Sequence, residues 1–120
     1  MIDRVSGQTP AFAGATAHAG LVFTAGVIAP SVLTGHGAGF GEQAREVMAV
    51  LDDVLGRAGS RLDRALRVEA FLAREQDLAA WNEVFARTWP SEAPARSTVL
   101  ATLAVPGALI EIQIVGALTV

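Results

Sequence analysis

The stretch from Pro94 to Ile114, PARSTVLATLAVPGALIEIQI, holds one arginine and one glutamate among small, apolar and hydroxyl residues. Its last part alternates, with Ile110, Ile112 and Ile114 on one side of an extended chain and Glu111, Gln113 and then Val115 on the other. A period of two in β-branched residues specifies a strand with one buried face. Any fold of this chain must cover the isoleucine face. It must also give Arg96 and Glu111 a reason to stand in strands that pack against something, because a buried charge without a partner is strongly disfavoured.

The cover comes from two amphipathic segments. Over residues 40–58 the apolar positions Phe40, Ala44, Val47, Met48, Leu51, Val54, Leu55 and Ala58 keep a three-four spacing, charged residues fill the other faces, and Gly59 supplies a stop. A second helix is expected over 77–89, with Leu78, Trp81, Val84, Phe85 and Trp89 as its stripe and Pro90 as its end. Strands are expected over 15–19, 21–28, 65–73, 97–104 and 109–118, with a short one over 2–5. Strands, then helix, strand, helix and two strands imply an α+β sandwich with both helices on one sheet face.

With 120 residues the chain is the size of one domain, residues 1–120, and burial of roughly two thirds of the unfolded surface is attainable. It is 52% hydrophobic with mean hydropathy +0.43, yet no run approaches the ~18 apolar residues of a membrane span. The apolar excess points to a buried interface between subunits. The opening MIDRVSGQTP lacks the basic start and apolar run of a secretory signal, so a cytoplasmic location is expected.

Absences narrow the chemistry. There is no Cys, no Tyr and no Lys, and all nine basic residues are Arg. Thiolate nucleophiles, lysine Schiff bases, Walker-type loops and cysteine metal sites are excluded. A net charge of −3 without a basic stripe argues against a nucleic-acid surface. GHGAGFG, residues 35–41, lacks the G-x-G-x-x-G spacing and reads as a mobile loop before the first helix. His18 and His36 have no metal-ligand spacing, no serine sits in a G-x-S-x-G elbow, and Asp52 and Asp53 lie on an outer helix face.

Arg96 and Glu111 remain. Arg96 offers a planar fork of donors for a small carboxylate, and Glu111 can orient or deprotonate a water; a structural ion pair between subunits is the alternative. Alternation puts Arg96, Thr98, Leu100 and Thr102 on one side of their strand, and the expectation is that they share a semi-polar sheet face with Glu111 and Gln113. If Pro106 and Gly107 turn a hairpin, Glu111 faces Thr102 and Arg96 faces Ala117. The two charges then stand roughly 20 Å apart at ~3.3 Å per residue. A shared site then needs Arg96 from one subunit and Glu111 from the next, or bulges that shift the register.

Taken together, PARSTVLATLAVPGALIEIQIVGAL resembles the carboxy-terminal signature of the Rid family of reactive imine deaminases, also called the YjgF family. GLVFTAGVIAP, EQAREVMAVLDDVLGRAGSRLDRALRVEAFLA and DLAAWNEVFARTWP resemble its earlier strand, first helix with turn and strand, and second helix. The resemblance implies a chorismate-mutase-like α+β fold with a mixed six-stranded sheet, a homotrimer with clefts between subunits, and hydrolysis of 2-imino or 2-enamino acids to 2-oxo acids and ammonia without cofactor or metal. It implies that Arg96 grips the substrate carboxylate, that Glu111 positions the attacking water, and that Asn82 and Gly26 line the cleft. Where many deaminases of the family carry Tyr, Ser, Cys and Gln, this chain has Phe12, Ala25, Thr98 and Val27. The pocket is thereby more apolar, which also admits a larger enamine or aromatic carboxylate as substrate, or a metabolite bound without turnover. Thr16, Thr24 or an ordered water are the candidates to replace the missing hydroxyls.

Overall fold

The computed structural model describes residues 1–119. Its centre is β6 (Ile110–Ala117), in which Ile110, Ile112 and Ile114 are fully buried while Glu111, Gln113 and Val115 are only partly buried. The other strands are β1 (Asp3–Ser6), β2 (Ala13–His18), β3 (Leu21–Thr24), β4 (Ala65–Leu72) and β5 (Ala95–Leu100). They form one mixed sheet in the order β1-β2-β3-β6-β4-β5, antiparallel except for the β4–β5 pair. A parallel pair needs a crossover, and it is supplied by α3 (Leu78–Thr88), the expected second helix. The expected first helix is α2 (Phe40–Arg57), ended by Gly59 at φ +92°. A four-residue helix, α1 (Pro30–Leu33), was not foreseen; Pro30 at its first turn favours it locally.

Helix α2 buries Phe40, Ala44, Val47, Leu51, Val54 and Leu55 against β6, β3 and β2. Val68, Ala70 and Leu72 of β4 complete the same core. Leu66 breaks the alternation that buries Val68, Ala70 and Leu72 and is half-exposed, because the β4–β6 register shifts between Ala65 and Arg67. The opposite sheet face carries Phe23, Arg67, Glu69, Phe71, Val99 and Gln113, and no helix covers it among the described residues. Phe23 and Val99 there are each 46% exposed.

The expected Pro106–Gly107 hairpin does not form. Ala108 N donates to Val105 O and Gly107 has φ +90°, which makes residues 105–108 a type II turn with Pro at its second position and Gly at its third. Type II turns splay flanking strands, whereas tight hairpins need the primed types. The turn instead lies in a crossover over the end of β4. Leu72 is flanked by Leu100 of β5 on one side and by Ile110 of β6 on the other, with Ala101 N donating to Leu72 O and Ala73 N donating to Leu109 O.

This crossover is bracketed by one buried amide. Gln43 of α2 is 1% exposed. Its Nε2 donates to Ala38 O and Gly107 O, and its Oε1 accepts from Leu109 N. A Gln43→Leu chain fills the same space but leaves Gly107 O and Leu109 N without their partner, at about 1–3 kcal/mol for each group that stays unpaired. We expect urea denaturation to show a loss of about 2–4 kcal/mol; a loss below 1 kcal/mol would mean that water satisfies both groups.

Candidate active site

Pairing with β4 fixes where the two charged residues of the apolar stretch point. Arg96 is opposite Val68 and Thr98 opposite Ala70, both on the helix-covered face; Glu111 is opposite Phe71, on the open face. The expectation that Arg96, Thr98, Leu100 and Thr102 share a face with Glu111 and Gln113 is therefore corrected. The hairpin register that supported it is absent, and β4 lies between the two strands. From ~3.3 Å per residue and ~4.8 Å per strand, the backbones at Arg96 and Glu111 are roughly 14 Å apart. Their side chains leave opposite faces, so one chain does not bring them together.

Arg96 lies along α3. Its Nε donates to Thr98 Oγ1 at 2.9 Å and its Nη2 to Asn82 Oδ1 at 2.6 Å. Its guanidinium carbon is 5.0 Å from the ring centre of Phe85 and 5.7 Å from that of Trp81, within cation–π range. Trp81 is fully buried and donates through Nε1 to the same Thr98 hydroxyl at 3.0 Å. These contacts hold the guanidinium plane while both Nη1 hydrogens stay unengaged by any described residue. Among the described residues no carboxylate forms an ion pair with Arg96. An exposed, pre-oriented fork without a counter-ion is suited to a carboxylate from outside the chain. Sequence spacing showed Trp81 and Phe85 only as a helix stripe. Their place beneath Arg96 depends on α3 lying beside β5.

The start of α3 is set by an ion pair. Arg74 donates to both oxygens of the buried Asp77, at 2.8 and 2.9 Å. This hydrogen bonding to Asp77 raises the Arg74 pKa above its ordinary value, so Arg74 remains a cation.

Glu111 occupies a different environment. Its carboxylate lies against the backbone of Gly26, so closely that a Cβ there would collide with Oε2. The approach is fixed by two backbone bonds one residue further on, Val27 N to Ile112 O at 2.8 Å and Ile112 N to Val27 O at 3.1 Å. Glu111 borders a cavity of about 410 Å³ with Gly26, Phe12 and Ile28 among its walls. Ala25 lines a neighbouring hollow of about 360 Å³ that shares Phe12 and Gly26. Thr24 does not restore the lost hydroxyl: its Oγ1 donates to Ala25 O and accepts from Ile114 N. The structure thus groups Arg96, Thr98 and Asn82 in one cluster and Glu111, Gly26, Phe12 and Ala25 in another. Leu33, Ala104 and Val105 also border the Glu111 cavity; no sequence signal marked them, since Leu33 comes from the short helix α1 and Ala104 and Val105 from the β5–β6 connection.

A family model described as endoribonuclease L-PSP matches residues 4–118. The chain belongs to the YjgF/Rid family. A solved YjgF family member of Neisseria meningitidis is 28% identical, with a TM-score of 0.86 over 100% of this chain and 97% of that one. The six-stranded mixed sheet with its helices is therefore the family architecture. Among curated relatives, the mitochondrial protein mmf1 of Schizosaccharomyces pombe is 40% identical over 76 residues, 61% of this chain and 47% of that protein. The 3-aminoacrylate deaminase RutC of Acinetobacter baylyi is 39% identical over 70 residues, 58% of this chain and 56% of the enzyme. The aligned region thus spans about half the length of these two Rid proteins. No described helix is long and apolar enough to cross a membrane. With mmf1 named as mitochondrial, the expected cytoplasmic location does not follow from membership of the Rid family.

Proposed function

We propose that this Rid protein hydrolyses 2-imino or 2-enamino acids to 2-oxo acids and ammonia, in clefts between the subunits of a cytoplasmic homotrimer. The observation that carries this is the division of one chemistry between two faces. Arg96 is a braced cation without a counter-ion, and Glu111 is a carboxylate bordering an apolar cavity, roughly 14 Å away on the other side of the sheet. Two such half-sites make one site when the Arg96 face of one subunit meets the Glu111 face of the next. The uncovered face bearing Phe23 and Val99 offers apolar area for that contact. The name of the Acinetobacter relative supports the reaction class.

In this cleft Arg96 holds the substrate carboxylate and leaves the imine carbon near Glu111. Asn82 and Thr98 keep the guanidinium in plane. An iminium is already a strong electrophile, so Glu111 has only to orient a water and accept its proton as the C–O bond forms; the resulting carbinolamine then releases ammonia. Proximity and one base suffice for this, and no cofactor, metal or nucleic acid is invoked. Phe12 and Ala25 form apolar wall, and the Gly26 backbone sets the carboxylate position.

Imines of alanine and 2-aminobutyrate, generated in a coupled assay by a pyridoxal-phosphate dehydratase, test the reading. We expect the protein to speed their decay and Arg96→Ala to lower kcat/KM by 10- to 100-fold, from the ~1.5–3 kcal/mol of a charged hydrogen bond. Equal decay with and without the protein would discard the reaction. It would favour binding without turnover, the alternative raised by the missing hydroxyls.

A further inference from the structure

The cavity beside Glu111 has one charged wall and otherwise offers carbon. Phe12, Ile28, Leu33, Ala104 and Val105 surround it, and Phe12 and Leu33 present half or more of their surface, 57% and 50%. Its two neutral polar side chains are turned to the backbone. Gln8 donates its amide to Ile28 O at 2.8 Å, and Thr9 accepts from Ala11 N at 3.1 Å. The wall formed by α1 is anchored: Ser31 donates through both its backbone N and its hydroxyl to the two carboxylate oxygens of Glu46, at 2.9 and 2.7 Å, which holds Leu33 at the rim. At about 410 Å³ the cavity exceeds what a methyl group and one water fill.

We infer that the Glu111 cavity is a side-chain subsite selecting 2-imino acids with branched aliphatic side chains of about leucine size. The inference rests on the deaminase reading and adds to it the class of substrate. With the substrate carboxylate on Arg96, the imine carbon lies at the cavity mouth and the side chain enters between Leu33, Ile28 and Val105. Each methylene taken from water adds roughly fourfold to kcat/KM when the transition state keeps the contact. An acidic side chain is rejected, because it would enter an apolar cup whose one charge is already negative.

The test uses the whole protein and imines made in place by an amino acid oxidase from alanine, leucine and aspartate. We expect the leucine-derived imine to be hydrolysed at least tenfold more efficiently than the alanine-derived one, and the aspartate-derived imine not to be accelerated. Ala104→Phe, which fills the cup from an exposed loop position, should lower the leucine-to-alanine ratio at least fivefold. In a melting experiment without turnover, 4-methyl-2-oxopentanoate should raise Tm more than pyruvate at equal concentration. A ratio near one, unchanged by Ala104→Phe, overturns the subsite and leaves the deaminase reading standing. No acceleration of any imine overturns the reaction, and equal stabilisation by both oxo acids then removes the subsite as well.

Discussion

Arg96→Ala and Glu111→Gln chains, each strongly impaired when purified alone, should recover imine hydrolysis when they are unfolded together and refolded as a mixture. Each variant keeps one intact half-site, because the two residues leave opposite faces of the sheet and share no contact. In a mixed ring some clefts receive Arg96 from a Glu111→Gln chain and Glu111 from an Arg96→Ala chain. Random assembly at equal amounts makes roughly a quarter of the clefts complete. Alone, Arg96→Ala loses a charged hydrogen bond to substrate, and Glu111→Gln loses a base whose contribution is typically 10²–10⁴-fold. Recovery to roughly a quarter of the parent rate is therefore a large signal over either background. No recovery from a mixture shown by mass to contain hybrid oligomers would place the reaction within one chain, or away from these residues.

Gly26→Ala should lower kcat by roughly 100-fold while changing stability by less than about 1 kcal/mol. The new Cβ would collide with Glu111 Oε2. The backbone cannot easily retreat, since Val27 and Ile112 are joined by two hydrogen bonds immediately beside it. The carboxylate is the part that moves, and a displacement of about 1 Å in a catalytic group is worth on the order of 100-fold. The fold tolerates it because the Glu111 side chain is only partly buried and borders a cavity into which it can turn. Gly41→Ala is the control: nothing lies within 4 Å of a Cβ there, and the position is in the first turn of α2. Parent kcat in Gly26→Ala would show that the carboxylate position does not set the rate.

Local chemistry made much of the fold legible. The three-four spacing over 40–58 became α2 (Phe40–Arg57), and the Ile110, Ile112, Ile114 alternation became the buried face of β6. The Pro106–Gly107 signal was correct as a turn and wrong as a hairpin. A turn type depends on the residues within it, whereas the partner of the strand that follows depends on which other strands compete for its hydrogen bonds. Both edges of β4 were taken, by β5 and β6, and nothing within 94–114 encodes that.

For the candidate site, the residues were visible and their faces were not. Arg96 and Glu111 stood out because charge is rare in an apolar stretch, and the family resemblance named Asn82, Gly26, Phe12, Ala25 and Thr98 beside them. The sequence by itself determined the residue types, the period of each element and the membership of the Rid family, because these depend on neighbours a few positions apart. Only the tertiary structure decided that Arg96 lies on Trp81 and Phe85 while Glu111 faces away beside Gly26. Strand order and register set which side of a sheet a residue faces. Those follow from the burial of the whole core, to which distant segments such as α2 and β4 contribute as much as the strand itself.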